Sequence, residues 1–376
     1  MRRRLLLSLV LLGALLAACG RPEPRIHRQD LLAFGTLITI SIYTDDERQA
    51  QEGFRALQED FRLMHDAWHA WHPGSLVRFN GLARTGAWFS AGPSVLALIE
   101  QARPLAEQSE QLFNPAIGEL IAAWGFHRDD GPAGPPPAEE WIADYLRHLP
   151  TLDDLDIDGV RVRSRNPRLR LDFGAFAKGY GVDRAIERLR TLGIENAMVN
   201  AGGDLKAIGR PGDRPWRVAI RDPRTPDQPL ATLELEGEEA VFTSGGYERG
   251  YEYRGRRYHH IIDPRTGRPA GGSLSVTVVH PVAATADAAA TALFVAGPRD
   301  WARIARRMGL RQVLLVAEDG HIEMTPEMAR RVHFLSPPQS APRIVDPFAA
   351  SVTDSSDKPA PAGYNAPNSK ETPRSE

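Results

Sequence analysis

Asp287 and Thr291 stand four residues apart in the run Thr285-Ala286-Asp287-Ala288-Ala289-Ala290-Thr291. On a helix that spacing brings both side-chain oxygens out on one face. A carboxylate beside a hydroxyl suits a hard ion such as Mg²⁺, which keeps water and takes further ligands from phosphate; a solvated helix face would carry the same pair. A second constellation, Asp172-Phe173-Gly174-Ala175-Phe176-Ala177-Lys178-Gly179, runs from strand into a Gly-rich turn that opens a helix. Backbone N–H groups at such a start can hold an anion, and Lys178 adds a point charge. It is not a Walker-type loop, because no Ser or Thr follows the Lys, and an ordinary strand-to-helix turn has the same appearance. In Asn200-Ala201-Gly202-Gly203-Asp204 the paired glycines let backbone approach backbone or ligand. The fourth constellation joins Thr243-Ser244-Gly245-Gly246-Tyr247 to His259-His260-Ile261-Ile262-Asp263-Pro264-Arg265-Thr266-Gly267. Neighbouring histidines of a strand point to opposite faces, so at most one of them faces a site. The residues from Asp263 to Gly267 read as a hairpin turn.

These residues need elements to hold them. Ile38, Ile40 and Ile42 alternate with Thr39, Ser41 and Tyr43, the period of a half-buried strand. Phe54, Leu57, Phe61 and Met64 then fall on one helix face. Val95, Leu98, Ile99 and Ala102 mark another helix, which Pro104 kinks or ends. The Gly- and Pro-rich residues 131–138 read as a surface loop joining two lobes. Residues 169–172 read as a short strand, 182–192 as a helix stopping before Gly193, and 197–200 as strand. Trp216, Val218 and Ile220 alternate, as do Val276 and Val278; residues 286–296 and 301–308 read as helices, and 313–316 as a buried strand. Strands following strands, with helices at irregular intervals, favour an α+β fold of mixed sheets and helices, in two intimately packed lobes, over a doubly wound parallel sheet.

The N-terminus carries its own instruction. Arg2, Arg3 and Arg4 precede an apolar run at residues 5–16. That run is too short for a hydrocarbon core of ~30 Å and has the length of a signal peptide. It closes on Leu16-Ala17-Ala18-Cys19, which resembles a bacterial lipobox, and Cys19 is the sole cysteine of the chain. Residues 1–18 are thus expected to be a lipoprotein signal peptide and Cys19 the acylated residue, holding the mature chain on the extracytoplasmic (periplasmic) side of a bacterial cell membrane. Residues 19–30 are expected to be linker, 31–336 the folded domain, and 337–376, rich in Pro, Ser and Ala, a disordered tail. With 42% hydrophobic and 25% charged residues and a net charge of −2, the composition is that of a globular protein. It has no basic stripe, which argues against a nucleic-acid partner.

Taken in order, these segments resemble the ApbE family of FAD:protein FMN transferases. The match runs from Phe34-Gly35-Thr36 to about Phe334 and includes Trp71 to Asn80, Phe113-Asn114-Pro115 with Gly118, Trp124-Gly125-Phe126 and the four constellations above. The resemblance implies that Asp172 and Lys178 contact FAD, and that the Ala175 carbonyl, Asp287, the Ala290 carbonyl and Thr291 ligate Mg²⁺. Ile262 and the segment Leu112, Phe113 and Asn114 would line the nucleotide site. Trp71 falls where relatives often have a stacking Tyr, and Phe34 replaces the family's usual Met. His260, with an ordinary pKa near 6.5, is the expected general base, oriented by Asp263. FAD would be a consumed substrate and Mg²⁺ the cofactor. The acceptors would be exported flavoproteins such as subunits of membrane redox complexes. A Mg²⁺-dependent FAD pyrophosphatase and a non-catalytic FAD-binding lipoprotein remain open as alternatives.

Overall fold

Ile38, Ile40 and Ile42 are fully buried, and this one-sided burial fixes the register of the strand that carries them. The structure, a computed structural model, describes residues 23–131 and 133–349. The leader, Cys19 and the chain beyond residue 349 lie outside the described residues. Nine strands, β1 (Arg25–Ala33), β2 (Thr36–Thr44), β3 (Ala197–Ala201), β4 (Asp204–Ile208), β5 (Glu239–Gly245), β6 (Ser273–His280), β7 (Gln312–Ala317), β8 (Ile322–Met324) and β9 (Arg343–Ile344), form one sheet whose spatial order follows chain order. Neighbours are antiparallel except β8 and β9, which are parallel.

Three helices cover one face: α1 (Glu47–Trp68), α2 (Ala177–Thr191) and α3 (Ala283–Arg307). Asp46 caps α1 by accepting from the N–H groups of Arg48 and Gln49. The apolar face of α1 is the expected one, with Phe54, Leu57 and Phe61 buried. Helix α3 breaks at Gly297 (φ 69°, ψ 177°), just before Pro298, which separates the two helical stretches seen in the sequence. Its buried alanines, Ala286, Ala288, Ala289, Ala290 and Ala292, let it lie close on the sheet. The helix Pro93–Gln108 joins this core and continues through Pro104. On the other face, Leu205, Val241, Val279 and Leu314 pack against Trp216, Val218 and Leu233 of a three-stranded sheet. A third cluster gathers Trp124, Phe126, Tyr145, Tyr251 and Ile262.

The mixed α+β architecture is the expected one, but several boundaries move. The helix Glu139–Arg147, which follows the Gly- and Pro-rich run, packs within the third cluster, while β2 before it pairs directly with β3 after it. The expected linker ends earlier than residue 30, because β1 begins at Arg25. The tail is not wholly structureless either. Arg343 and Ile344 form β9, the Arg343 guanidinium meets Glu323 at 2.9 Å, and that of Arg311 lies 4.7 Å from the Phe348 ring. Residues 169–172 form no strand; Arg170 makes only an isolated bridge to Ile117. Among the described residues no helix is long and apolar enough to cross a membrane.

Helices α2 and α3 touch at Gly179, where an added Cβ would stand 2.4 Å from the Ala283 carbonyl oxygen and 2.8 Å from Asp287 Cβ. Gly179→Ala is therefore expected to cost about 1–3 kcal/mol of stability through overpacking, read as a lower urea midpoint.

Candidate active site

The close contact at Gly179 carries a polar bond as well. Asp287, only 5% exposed on α3, accepts the Gly179 N–H through Oδ2 at 2.8 Å. Ala175 lies four residues earlier, on the turn that opens α2, and the Ala290 side chain is buried one helical turn after Asp287. Thr291 exchanges a hydroxyl hydrogen bond of 2.9 Å with Ser244 at the end of β5. Lys178 pairs with Asp204, whose other oxygen accepts the Thr243 N–H at 2.8 Å. Asp204 reaches that position from the two-residue turn between β3 and β4, where Gly202 (φ 74°) and Gly203 (φ 111°) adopt conformations that favour glycine. A Cβ at position 202 would stand 2.2 Å from Thr36 Oγ1. Segments 172–179, 200–204, 243–248 and 287–291 thus converge.

The electrostatics of this cluster are those of surplus negative charge. Burial pushes the Asp287 carboxyl up to about 7; Lys178 opposes that shift, while Asp204 and Glu248 reinforce it. Burial alone would lower Lys178, but the charges of Asp204, Asp287 and Glu248 more than offset it, and its pKa is raised. Burial likewise raises Glu248. Lys178 faces three carboxyl groups, and Arg221 adds its charge on the Glu248 side. Hard oxygens on one helix face, with excess anionic charge around them, fit a dication. Among the described residues no three His, Cys, Asp or Glu side chains gather in a metal-holding arrangement, so backbone and substrate oxygens would complete the shell.

Asp172 anchors the other side. Its Oδ1 accepts the Gly174 N–H at 2.7 Å, and its Oδ2 lies 2.6 Å from Nε2 of His127. Burial would raise this carboxyl, but the His127 bond and charge outweigh burial, and its pKa is lowered. The His127 ring stacks on Trp71, with centroids 5.0 Å apart and planes at 23°. Trp71 donates its indole N–H to Asp129 at 2.9 Å. Nδ1 of His69 accepts the N–H groups of Trp71 and His72, at 3.4 and 3.0 Å. Phe34 (φ 53°) and Gly35 (φ 72°) make the hairpin turn between β1 and β2, and the Phe34 ring stacks on Trp68 with planes 3° apart.

The ApbE family matches this chain over residues 34–315. The chain belongs to the ApbE family. A relative from Rhodobacter capsulatus named FAD:protein FMN transferase is 45% identical over 83% of the chain, which spans 59% of that longer protein. One of the same name from Vibrio cholerae is 32% identical over 81% of the chain and 91% of its own length. Among solved structures, the ApbE protein of Thermotoga maritima superposes with a TM-score of 0.74 at 30% identity, covering 82% of this chain and 99% of that one. The flavinyl transferase ApbE of Pseudomonas stutzeri, in its apo form, gives 0.70 at 29%, covering 80% and 93%. By the names of these relatives, ApbE proteins are transferase enzymes.

Four of the residues expected to line an ApbE site have side chains engaged within the protein itself. Leu112 and Phe113 are buried in the main core, where Phe113 packs 5.9 Å from Phe176. The Asn114 amide donates to the Pro150 carbonyl and accepts the Ala116 N–H, each at 2.9 Å. These residues brace the approach to Asp172, whose N–H donates to the Pro115 carbonyl at 2.8 Å. The Ile262 side chain is buried in the third cluster. Asp263 does not orient His260: its carboxylate grips Arg265, whose Nη2 donates to the Val295 carbonyl at 3.0 Å. Instead, Nδ1 of His260 lies 3.2 Å from the Arg249 carbonyl oxygen. A carbonyl only accepts, so Nδ1 carries the hydrogen and Nε2 keeps a lone pair. His259 turns the other way, toward the Ala270 carbonyl at 2.8 Å.

Asp204, Ser244, Glu248, Arg249 and His127 were not singled out from the sequence as site residues. Asp204 and Ser244 sit in motifs read there for their glycines. His127 follows Trp124-Gly125-Phe126 with no spacing to mark it.

Burial first, then the Arg249 charge, pushes His260 down to about 3. Burial, then His72 and His65, lowers His69 to about 4. The unfolded chain binds protons at these two histidines as pH falls below ~6.5, whereas the folded chain does so only near 3 and 4. Stability is therefore fully present above pH ~6.5 and is lost as pH falls toward the folded values. Asp287, raised to about 7, works in the opposite sense over the same range, because the folded chain takes up that proton before the unfolded one. The histidine contribution is therefore read by comparison: between pH 7 and 4.5 the urea midpoint is expected to shift less toward instability in His69→Asn, whose amide oxygen can keep the turn, than in the wild-type chain.

Proposed function

We propose that the chain cleaves FAD and attaches its FMN half to a Ser or Thr hydroxyl of another protein, releasing AMP. The observation that carries this reading is the seat of Asp287 on the opening turn of α2, beside Lys178 and one turn from Thr291. A phosphoryl group held there would meet donors and charge on several sides. Asp287, Thr291 and the carbonyls of Ala175 and Ala290 are the groups that would hold Mg²⁺, which when bound offsets charge on the pyrophosphate oxygens. One N–H of Lys178 is engaged by Asp204, and its two others are available to phosphate.

The acceptor oxygen forms the new bond to the FMN phosphorus as the bond to the AMP oxygen breaks. His260 supports the proton transfer: its Nδ1–H is directed at the Arg249 carbonyl, leaving Nε2 to take the hydroxyl proton. Its lowered pKa keeps that lone pair unprotonated at neutral pH. Trp71 offers an aromatic face for stacking, and Asp172 a charged acceptor for a polar group of the dinucleotide. The leader sequence supports a lipid anchor at Cys19 on the extracytoplasmic side of a bacterial cell membrane, and with it exported flavoproteins, such as subunits of membrane redox complexes, as acceptors.

The test is incubation of the purified chain with FAD, Mg²⁺ and an exported flavoprotein, followed by mass spectrometry of the acceptor and assay of AMP. Added FMN mass on Ser or Thr is the expected result. Free FMN without labelled protein would make the chain a pyrophosphatase, and bound FAD without AMP a carrier. Asp287→Asn is expected to abolish AMP release while near-ultraviolet circular dichroism stays native. His260→Ala should slow transfer by roughly 10²- to 10⁴-fold, and a loss below about threefold would remove His260 from the base role.

A further inference from the structure

We propose that His127 is a positioning residue for Asp172, fixing the carboxylate through which the dinucleotide is held; this rests on the transferase reading above. His127 leaves the third cluster just after Phe126, and its side chain is only 5% exposed. Its Nε2 lies 2.6 Å from Asp172 Oδ2, so one oxygen of that carboxylate is held by the imidazole and the other by the Gly174 N–H. No other side chain described here bonds to Asp172. Without the imidazole, a carboxyl that is 11% exposed would have a single fixed donor and would more readily take a proton.

Two features separate this histidine from one kept for packing. Its Nδ1 is buried and, among the described residues, has no hydrogen-bond partner. An apolar residue of similar size would avoid that unsatisfied group, so a side chain chosen only to fill the space need not be histidine. The imidazole is also held from several directions. Trp71 covers one face, and Trp71 is itself pinned by Asp129 and by the turn around His69. Arg249 donates to the Phe126 carbonyl at 3.1 Å, tying the His127 loop to the segment whose carbonyl holds His260. The Asp172–Gly174 bond shapes the turn that leads to Ala175 and Lys178. Loss of the imidazole frees only the other oxygen and leaves this bond in place, so the disturbance falls on the Asp172 carboxylate and dinucleotide binding rather than on the Asp287 site.

The test is FAD binding to the full chain, followed by quenching of flavin fluorescence, together with KM and kcat for AMP release. His127→Gln keeps an N–H donor within reach of Asp172, whereas His127→Leu keeps bulk beneath Trp71 and loses the donor. The Leu variant is expected to bind FAD about tenfold to a hundredfold more weakly, as suits loss of a hydrogen bond to a charged group. That loss should appear in KM more than in kcat, and Gln should restore affinity to within about threefold. Equal affinities for the Leu and Gln variants, or a loss confined to kcat, would overturn the proposal. Asp172→Asn supplies an arm that does not depend on the Leu variant folding: it must weaken FAD binding, and native affinity in it sinks the idea. Wild-type chain that binds FAD without releasing AMP would instead refute the transferase reading and leave the His127 comparison to stand on binding alone.

Discussion

The site depends on one close approach, that of Gly179 on α2 to Asp287 on α3. The helices meet there with no side chain between them, and the Gly179 N–H is given to the carboxylate rather than to solvent. Everything around the contact serves it. The alanines of α3 let that helix settle on the sheet. Asp183 on α2 accepts the N–H groups of Ala283 and Ala284 and so caps α3 from its neighbour. Lys206 on β4 meets Asp183 at 2.8 Å and Glu238 at 2.7 Å, tying the capped helix pair to the sheet. A buried carboxylate is costly unless it is paired or hydrogen-bonded, and here the fold supplies a backbone donor and a nearby lysine.

The charge arrangement sets the site apart from a stability device. Lys178 is already matched by Asp204, so Asp287 is left with a hydrogen bond and no dedicated counter-charge. An ion pair built for stability alone would stop at two partners; the third and fourth groups, Asp287 and Glu248, make the folded chain's own electrostatics unfavourable in that region. Unfavourable local electrostatics in a place this well packed fit the proposed site better than a device for stability.

The sequence exposed local order better than long-range partnership. The alternation of Ile38, Ile40 and Ile42, the stop at Gly193 and the break before Trp301 are written within a few residues each, and they read correctly. The divergence of His259 and His260 followed from strand geometry alone. By contrast, nothing near Lys178 announces Asp204, and nothing near Asp172 announces His127: these bonds join residues far apart in the chain and exist only after the sheet has closed. Asn114, Phe113 and Ile262 stood in motifs assigned to the site, but their side chains satisfy the backbone or fill the core. The Pro-rich composition after residue 336 concealed β9, because two residues suffice to pair with β8 and composition over forty residues does not register them.

The sheet order has a consequence for how the chain reaches its native state. Strands β2 and β3 are spatial neighbours, yet roughly 150 residues separate them, and closing a loop of that length has an entropic cost that short hairpins avoid. The β1–β2 hairpin must therefore wait, with one edge unpaired, until the segment beginning near Ala197 exists and arrives. High contact order of this kind slows folding and prolongs the lifetime of exposed strand edges. A chain released before that segment is made would lack both the partner of its central isoleucines and the helix that carries Asp287, so structural integrity and a competent site would be acquired in the same late step.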